Sequence, residues 1–312
     1  MTKDPSDFDY FDWNSSLDVI KKAYDSALFV LIIGPKGTGK TSLVRKFASE
    51  SGKALYSINF SLRTRESHLV GTKTLNQGEV TFVEGILIKS MRDGGILYLD
   101  ELNAAEPDVL LRLDEALDDR RQIVLKEAEG QVIKASDDWF VFATINPLSH
   151  EGTKELPPQL LSRFPVRLRL EYPPKEIEMQ IIKHHVNFDA SNESDIDSAL
   201  KLANSLREAA SLEELYYSPS IRESIAFAKL IRNNVMPKKA AEVVYANVYD
   251  QWGEVEYRKV MDMSFIVASS NNFVSIATLA LCLNWIIFEL ISGEPYTALP
   301  ATIILAPASK TC

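Results

Sequence analysis

Residues 28–41 read LFVLIIGPKGTGKT. The first seven positions are almost wholly apolar and end at Gly34. A short apolar run closed by glycine fits a parallel strand buried on both faces. GPKGTGKT (34–41) then fits the spacing G-x-x-x-x-G-K-[ST]. Glycines let a loop wrap closely around phosphate, so that backbone N–H groups face the anion. The helix expected over residues 39–52 adds a favourable field at its N-terminus. Lys40 can reach the β- and γ-phosphates of a nucleoside triphosphate, and the Thr41 hydroxyl can ligate Mg²⁺. The candidate nucleotide-binding segment is Gly34, Pro35, Lys36, Gly37, Thr38, Gly39, Lys40, Thr41 and Ser42.

Working outward, apolar strands are expected at 54–60, 94–101 and 139–146, and within 163–172. Helices are expected from Ser15 or Ser16 to about Ser26, over 85–92, and from Pro107 to about residue 119. Strands alternating with helices predict an α/β fold, an open parallel sheet covered on both faces. Two hairpins interrupt it. One lies in 67–85, turning at Asn76-Gln77-Gly78; the other is QIVLKEAEGQVIKA, turning at Ala128–Gly130.

The strand ILYLDE (96–101) puts two carboxylates at a carboxyl edge, where ligands collect in such sheets. Asp100 can hold Mg²⁺ through its water shell, making Thr41 and Asp100 the candidate metal residues. Glu101 can orient or deprotonate an attacking water. A kinase would not want that water activated, so the acidic pair favours hydrolysis. Asn146 ends the strand WFVFATIN, and its amide could hold the water or the γ-phosphate.

Composition narrows the classes. The chain has 312 residues, 46% hydrophobic and 25% charged, the profile of a globular protein. Lys and Arg number 34 against 43 Asp and Glu, a net charge of −9. That argues against a protein whose main work is coating nucleic acid, which needs many cation–phosphate contacts. Cys282 and Cys312 are too few for a disulfide scaffold. The acidic, aromatic start lacks a basic segment followed by an apolar run, so no signal peptide is expected, and the expected location is cytoplasmic. His68, His150, His184 and His185 lack metal-ligand spacing.

Beyond Pro173-Pro174 the character turns helical, with a break at Tyr216–Pro219. This divides the chain into a nucleotide domain over 1–172, a helical domain over 173–262 and an apolar tail over 263–312. The tail contains Phe273–Ser292, nearly long enough to span a bilayer but carrying Asn284 and Glu289. Three readings stay open: a helix buried in the fold or an oligomer interface, a membrane anchor, or sequence from an altered reading frame.

GPKGTGKT, ILYLDELNAAEPDVLLRLDEALDDR, FATINPLSHEGTKELPPQLLSRF and PSIRESIAFAKL, in this order, resemble the MoxR group of AAA+ ATPases. The later PSIRESIAFAKLIRNNVMPKKAAEVVYANVYD is more similar to the CbbQ/NirQ/NorQ branch. The resemblance covers residues 15–262. It implies a P-loop αβα domain, a helical lid, and a hexameric ring with ATP between subunits. It implies that Lys40 and Thr41 are the Walker A residues, Asp100 and Glu101 the Walker B pair, Asn146 sensor 1 and Arg222 sensor 2. Arg163 matches the arginine finger acting on a neighbour's ATP, with Arg120 and Arg121 as rival interface arginines. The hairpins would face the pore or axial surface, where Lys73, Thr81 and Phe82, or Lys126 and Lys134, could contact a client. The implied activity is Mg²⁺-dependent ATP hydrolysis by a remodelling chaperone, often working with a von Willebrand factor A domain partner. A nucleic-acid motor and a non-hydrolysing, nucleotide-gated scaffold are the alternatives.

Overall fold

A computed structural model describes residues 10–76, 79–147 and 154–269. Five strands form one parallel sheet: β1 (Val30–Ile33), β2 (Leu55–Asn59), and, after a hairpin of β3 (Gly71–Asn76) and β4 (Glu79–Glu84), β5 (Ile96–Asp100). A second hairpin, β6 (Gln122–Leu125) and β7 (Gln131–Lys134), precedes β8 (Phe140–Ile145) and β9 (Val166–Arg169). The sheet order is β2-β5-β8-β1-β9. β1, β5 and β8 are the inner strands and almost wholly buried, whereas the edge strands β2 and β9 are only half so. That is why the first three read as continuous apolar runs while β9 alternates, with Arg167 and Arg169 turned to solvent.

Register decides what meets at the carboxyl edge. Ile33 pairs with Ile145, so Gly34 emerges beside Asn146. Leu99 pairs with Ala143, so Asp100 emerges beside Thr144. The helices α1 (Ser16–Asp25), α2 (Lys40–Ser51), α3 (Glu66–Leu69), α4 (Ile86–Asp93), α5 (Pro107–Leu117) and α6 (Pro158–Ser162) accompany the sheet. The short α3 and α6 carry too few turns to show a period in the sequence. α1 starts differently from expectation. Ser15 lies in the left-handed region and gives no side-chain cap. Instead Asn14 Oδ1 accepts from Ser16 N at 3.3 Å, and Asp12 Oδ2 from Leu17 N at 3.1 Å.

The remaining helices are α7 (Lys175–His185), α8 (Ala190–Ser211), α9 (Ile221–Arg232), α10 (Pro237–Ala241) and α11 (Glu254–Ser269). A π-turn at Glu242–Ala246 and a 3₁₀ turn at Asn247–Trp252 join the last two. The buried apolar residues form two clusters, one from Ile20 to Leu170 and one from Ile182 to Val260. A buried ion pair braces the second. Arg207 donates from Nη1 and Nη2 to Glu178 at 2.6 and 2.9 Å, and from Nε to Pro219 O at 2.8 Å. Ser224 Oγ adds a donor to the same carboxylate at 2.7 Å. Pro219 directly precedes Ser220, the N-cap of α9, so this bracing bears on where α9 begins.

Phe273–Ser292, Cys282, Cys312, His150, the turn residues 77–78 and the middle of NPLSHEGTKELPPQLLSRF (148–153) lie outside the described residues. Among the described residues no helix is long and apolar enough to cross a membrane.

Removing one partner of a buried pair leaves the other charge unpaired, at about 3–5 kcal/mol. Arg207→Ala should lower the opening free energy of α8 and α9 by about that much in native-state hydrogen exchange. Replacing both partners together (Arg207→Met with Glu178→Leu) should recover most of the loss.

Candidate active site

The loop after β1 runs into α2 without a break. Gly37 and Gly39 have φ of 74° and 91°, conformations that L side chains rarely adopt. Gly37 also has no room for a side chain, since a Cβ there would sit 2.3 Å from Ser220 Cβ at the start of α9. Ser220 is held in place by its own helix: Glu223 Oε2 accepts from Ser220 N at 2.9 Å, and Ser220 Oγ accepts from Arg222 N at 3.2 Å. This capping box puts Arg222 in the first turn of α9, facing the loop.

Lys40 is 7% exposed. Its Nζ donates to Gly34 O at 2.6 Å, Pro35 O at 2.8 Å and Asn146 Oδ1 at 2.9 Å. Its pKa is pulled down from 10.5 to about 8, chiefly by burial; Asp100 and Glu101 oppose the shift, and Arg222 and Lys36 add to it. Gly34 and Pro35 thus lie behind the lysine and serve it with carbonyls. Lys36, Thr38, Thr41 and Ser42 line the cleft itself.

The acidic pair sits opposite. Asp100 Oδ1 accepts from Thr144 Oγ1 at 2.6 Å and from Tyr98 OH at 2.7 Å, and Tyr98 OH lies 3.1 Å from Thr41 Oγ1. Glu101 follows with φ of 55°, a left-handed turn whose N–H is held by Thr144 Oγ1 at 3.0 Å. A non-glycine residue there is strained, and the turn carries the Glu101 side chain to Asn146, whose Nδ2 donates to Oε1 at 3.2 Å. Asn146 therefore bridges the lysine and the glutamate. It is fixed by Asn103, whose Nδ2 donates to Asn146 O at 2.9 Å and whose Oδ1 accepts from Asn146 N at 3.4 Å.

The cleft holds about 480 Å³. Its phosphate-loop end is polar. Its walls also include Tyr10, Phe11 and Trp13 before α1, and Ile181, Ile221 and Ile225 from α7 and α9, with Tyr10 against Gly39 of the loop. Aromatic and aliphatic walls beside a cationic loop suit a base and its phosphates. Thr41 and Asp100 bring hard oxygen donors to one place, the chemistry Mg²⁺ selects, so these residues fit the ion.

The structure brings together Lys40, Thr41, Asp100, Glu101, Asn146 and Arg222 in one cleft. Arg163 stands outside it, its Nε donating to Asp114 Oδ1 at 3.0 Å. Arg120 folds onto Asp118 in its own turn at 2.9 Å. Arg121 donates to Ala27 O at 3.1 Å and lies over the Phe29 ring. In the first hairpin Phe82 packs against the core, while Leu75 and Val80, 75% and 67% exposed, form the apolar tip. Lys73, Thr81, Lys126 and Lys134 are exposed. Among the described residues no cluster of His, Cys, Asp and Glu could hold a metal ion.

Four residues of the site escape sequence reasoning: Tyr98, Asn103, Thr144 and Tyr172. Tyr172 OH donates to Lys36 O at 3.0 Å, and Arg207 sits over its ring at 4.2 Å. One signal was available for Tyr98, which lies two residues before Asp100 in a strand and so shares its face.

The profile of the AAA domain (dynein-related subfamily) matches residues 29–164. Over 224 residues the chain is 31% identical to the denitrification regulatory protein NirQ of Stutzerimonas stutzeri, covering 71% of this chain and 78% of that one. It is 30% identical to an uncharacterised Staphylococcus haemolyticus protein, over 76% of this chain and 90% of that one. A solved mutant of Thermotoga maritima RuvB superposes with a TM-score of 0.47 at 18% identity, over 80% of this chain and 69% of that one.

Deprotonation of Lys40 above pH 8 removes the charge that would meet phosphate, so anion affinity falls as pH rises. If only the protonated form binds, the Kd for Mg²⁺-ATP should be about tenfold weaker at pH 9 than at pH 7. Fluorescent-nucleotide titration at the two pH values checks this. A flat profile would mean that Lys40 stays charged throughout.

Proposed function

The chain belongs to the AAA+ ATPases of the dynein-related subfamily, of the MoxR/NirQ type, and from that premise we propose that it hydrolyses Mg²⁺-ATP as a ring and uses the cycle to remodel a partner protein complex. The observation that carries this reading is the contact between Glu101 and Asn146 beside Lys40. A carboxylate, an amide and a buried ammonium lie in one hydrogen-bonded row at the sheet's carboxyl edge.

In this mechanism Lys40 and the N–H groups of residues 36–42 bind the phosphates. Thr41 and Asp100 would hold Mg²⁺, which when bound would neutralise phosphate charge. Asn146 orients the attacking water and Glu101 takes its proton. When Lys40 turns to phosphate, Asn146 Oδ1 loses that donor and becomes free to accept from the water. Arg222, carried on α9, links the phosphates to the helical lid. Arg163 serves a neighbour's site. An arginine supplied from another subunit can be worth about 10³–10⁵ in rate, which ties activity to assembly. Its partner Asp114 keeps it aimed when no nucleotide is across the interface.

The NirQ relative is named for regulation of denitrification. By that likeness the client here is another protein, joined through a von Willebrand factor A domain partner as in the MoxR group. The hairpin tip at Leu75 and Val80 offers an apolar contact for such a client. With 43 acidic against 34 basic residues, nucleic acid is the less suited partner.

Glu101→Gln should keep ATP affinity and lose about 10²–10⁴ in turnover. Turnover at the wild-type level would remove Glu101 from the mechanism. Arg163→Ala should bind ATP and sediment as the wild type does, yet hydrolyse about 10³-fold more slowly. Specific activity of the wild type should rise with protein concentration as rings form, and a concentration-independent rate would argue for a self-sufficient subunit.

A further inference from the structure

Tyr98 stands where the sheet interior meets the phosphate loop, and its hydroxyl has more to do than fill space. The residue is 1% exposed, on β5 and on the same face as Asp100. Its OH lies 2.7 Å from Asp100 Oδ1 and 3.1 Å from Thr41 Oγ1. A phenol carries one hydrogen. An ionised carboxylate can only accept, and a charged acceptor makes the stronger bond, so that hydrogen belongs to Asp100. The Tyr98 oxygen must then accept from Thr41. The Thr41 hydrogen is thereby turned into the protein, and its oxygen lone pairs are left for a cation.

Thr144 completes the arrangement from β8. It gives its own hydrogen to Asp100 Oδ1 at 2.6 Å and receives the N–H of Glu101 at 3.0 Å. Asp100 Oδ1 thus has two protein donors, which fixes the plane of the carboxylate. Thr144 is fully buried.

We infer that Tyr98 is a positioning residue for the metal: its hydroxyl sets the hydrogen of Thr41 and the plane of Asp100 so that both present lone pairs to Mg²⁺. This rests on the Mg²⁺-nucleotide reading above and adds to it a residue outside the usual loop and acidic pair.

The test uses the full chain with ADP, and Mn²⁺ as a paramagnetic probe in place of Mg²⁺. Tyr98→Phe keeps the ring and removes only the hydroxyl. Mn²⁺ affinity of the ADP complex, read by electron paramagnetic resonance, should weaken about fivefold to tenfold, the effect of one net hydrogen bond. ADP affinity in EDTA should stay within about twofold, since no phosphate contact is touched. In a Thr41→Val background the same substitution should add less than it costs alone, because the hydroxyl it orients is already gone and only the Asp100 contact remains. Unchanged Mn²⁺ affinity in Tyr98→Phe overturns the proposal. So does a parallel loss of metal-free ADP binding, or full additivity with Thr41→Val, since either marks a merely structural role. Reduced folding yield would lower metal and nucleotide sites together and leave each affinity unchanged, so the cycle stays decisive. If the wild type binds no nucleotide at all, the Mg²⁺-nucleotide reading falls and takes this proposal with it. A null result in Tyr98→Phe alone leaves that reading standing.

Discussion

The buried ammonium of Lys40 is the constraint on which the cleft depends. Its three hydrogens meet three acceptors, Gly34 O, Pro35 O and Asn146 Oδ1. All three acceptors are neutral. Dipoles offset part of the desolvation of a cation but not all of it, and the shortfall appears as a pKa near 8. Asp100 and Glu101 help through their field, without contact. A phosphate offers charged acceptors in place of neutral ones. Folding therefore leaves a cation under-compensated, and an anion entering the loop relieves that penalty. The same fact explains the loop's glycines: the chain must curl back far enough for its own carbonyls to reach the lysine.

The parts of this site that local chemistry specifies were open to sequence reasoning. A glycine-rich loop after an apolar strand, and two carboxylates after another, need only their neighbours in the chain to make sense. The three inner strands, too, are visible because burial on both faces writes itself as an apolar run, and the edge strand β9 because it alternates. Tyr98, Asn103, Thr144 and Tyr172 were harder to see, because each has at least one partner 40 or more residues away. Thr144 meets Asp100 through the pairing of Leu99 with Ala143. Asn103 meets Asn146 through a 3₁₀ turn that no hydrophobic period announces. The start of α1 shows the same limit at short range: a serine in the expected place is bypassed because Asn14 and Asp12 reach the free N–H groups first.

Two contacts meet the tip of the loop, one from the segment that leads into α7 and one from the start of α9. Tyr172 donates to Lys36 O, and Ser220 fills the space that Gly37 leaves open. Both points lead back to Arg207, which covers the Tyr172 ring and binds the carbonyl just before Ser220. The Arg207–Glu178 pair is therefore more than ballast. Its stability contribution is modest beside an apolar alternative, yet its geometry ties two loop contacts to one rigid body.

That rigidity has a mechanical consequence. A phosphate that draws Lys40 from Gly34 O and Pro35 O changes the loop beneath Tyr172 and Ser220. Packed elements move between discrete arrangements rather than bend, so the helices cannot follow one contact and ignore the other. Arg222 sits two residues from Ser220 in the same capping box, and any shift of α9 moves it with respect to the phosphates. Loop, arginine and helices α8 and α9 thus share one chain of contacts, through Ser220 and Arg207. Arg163 and its holder Asp114 stand outside this chain of contacts, at the end of α6 and on α5, while Arg222 stands within it on α9.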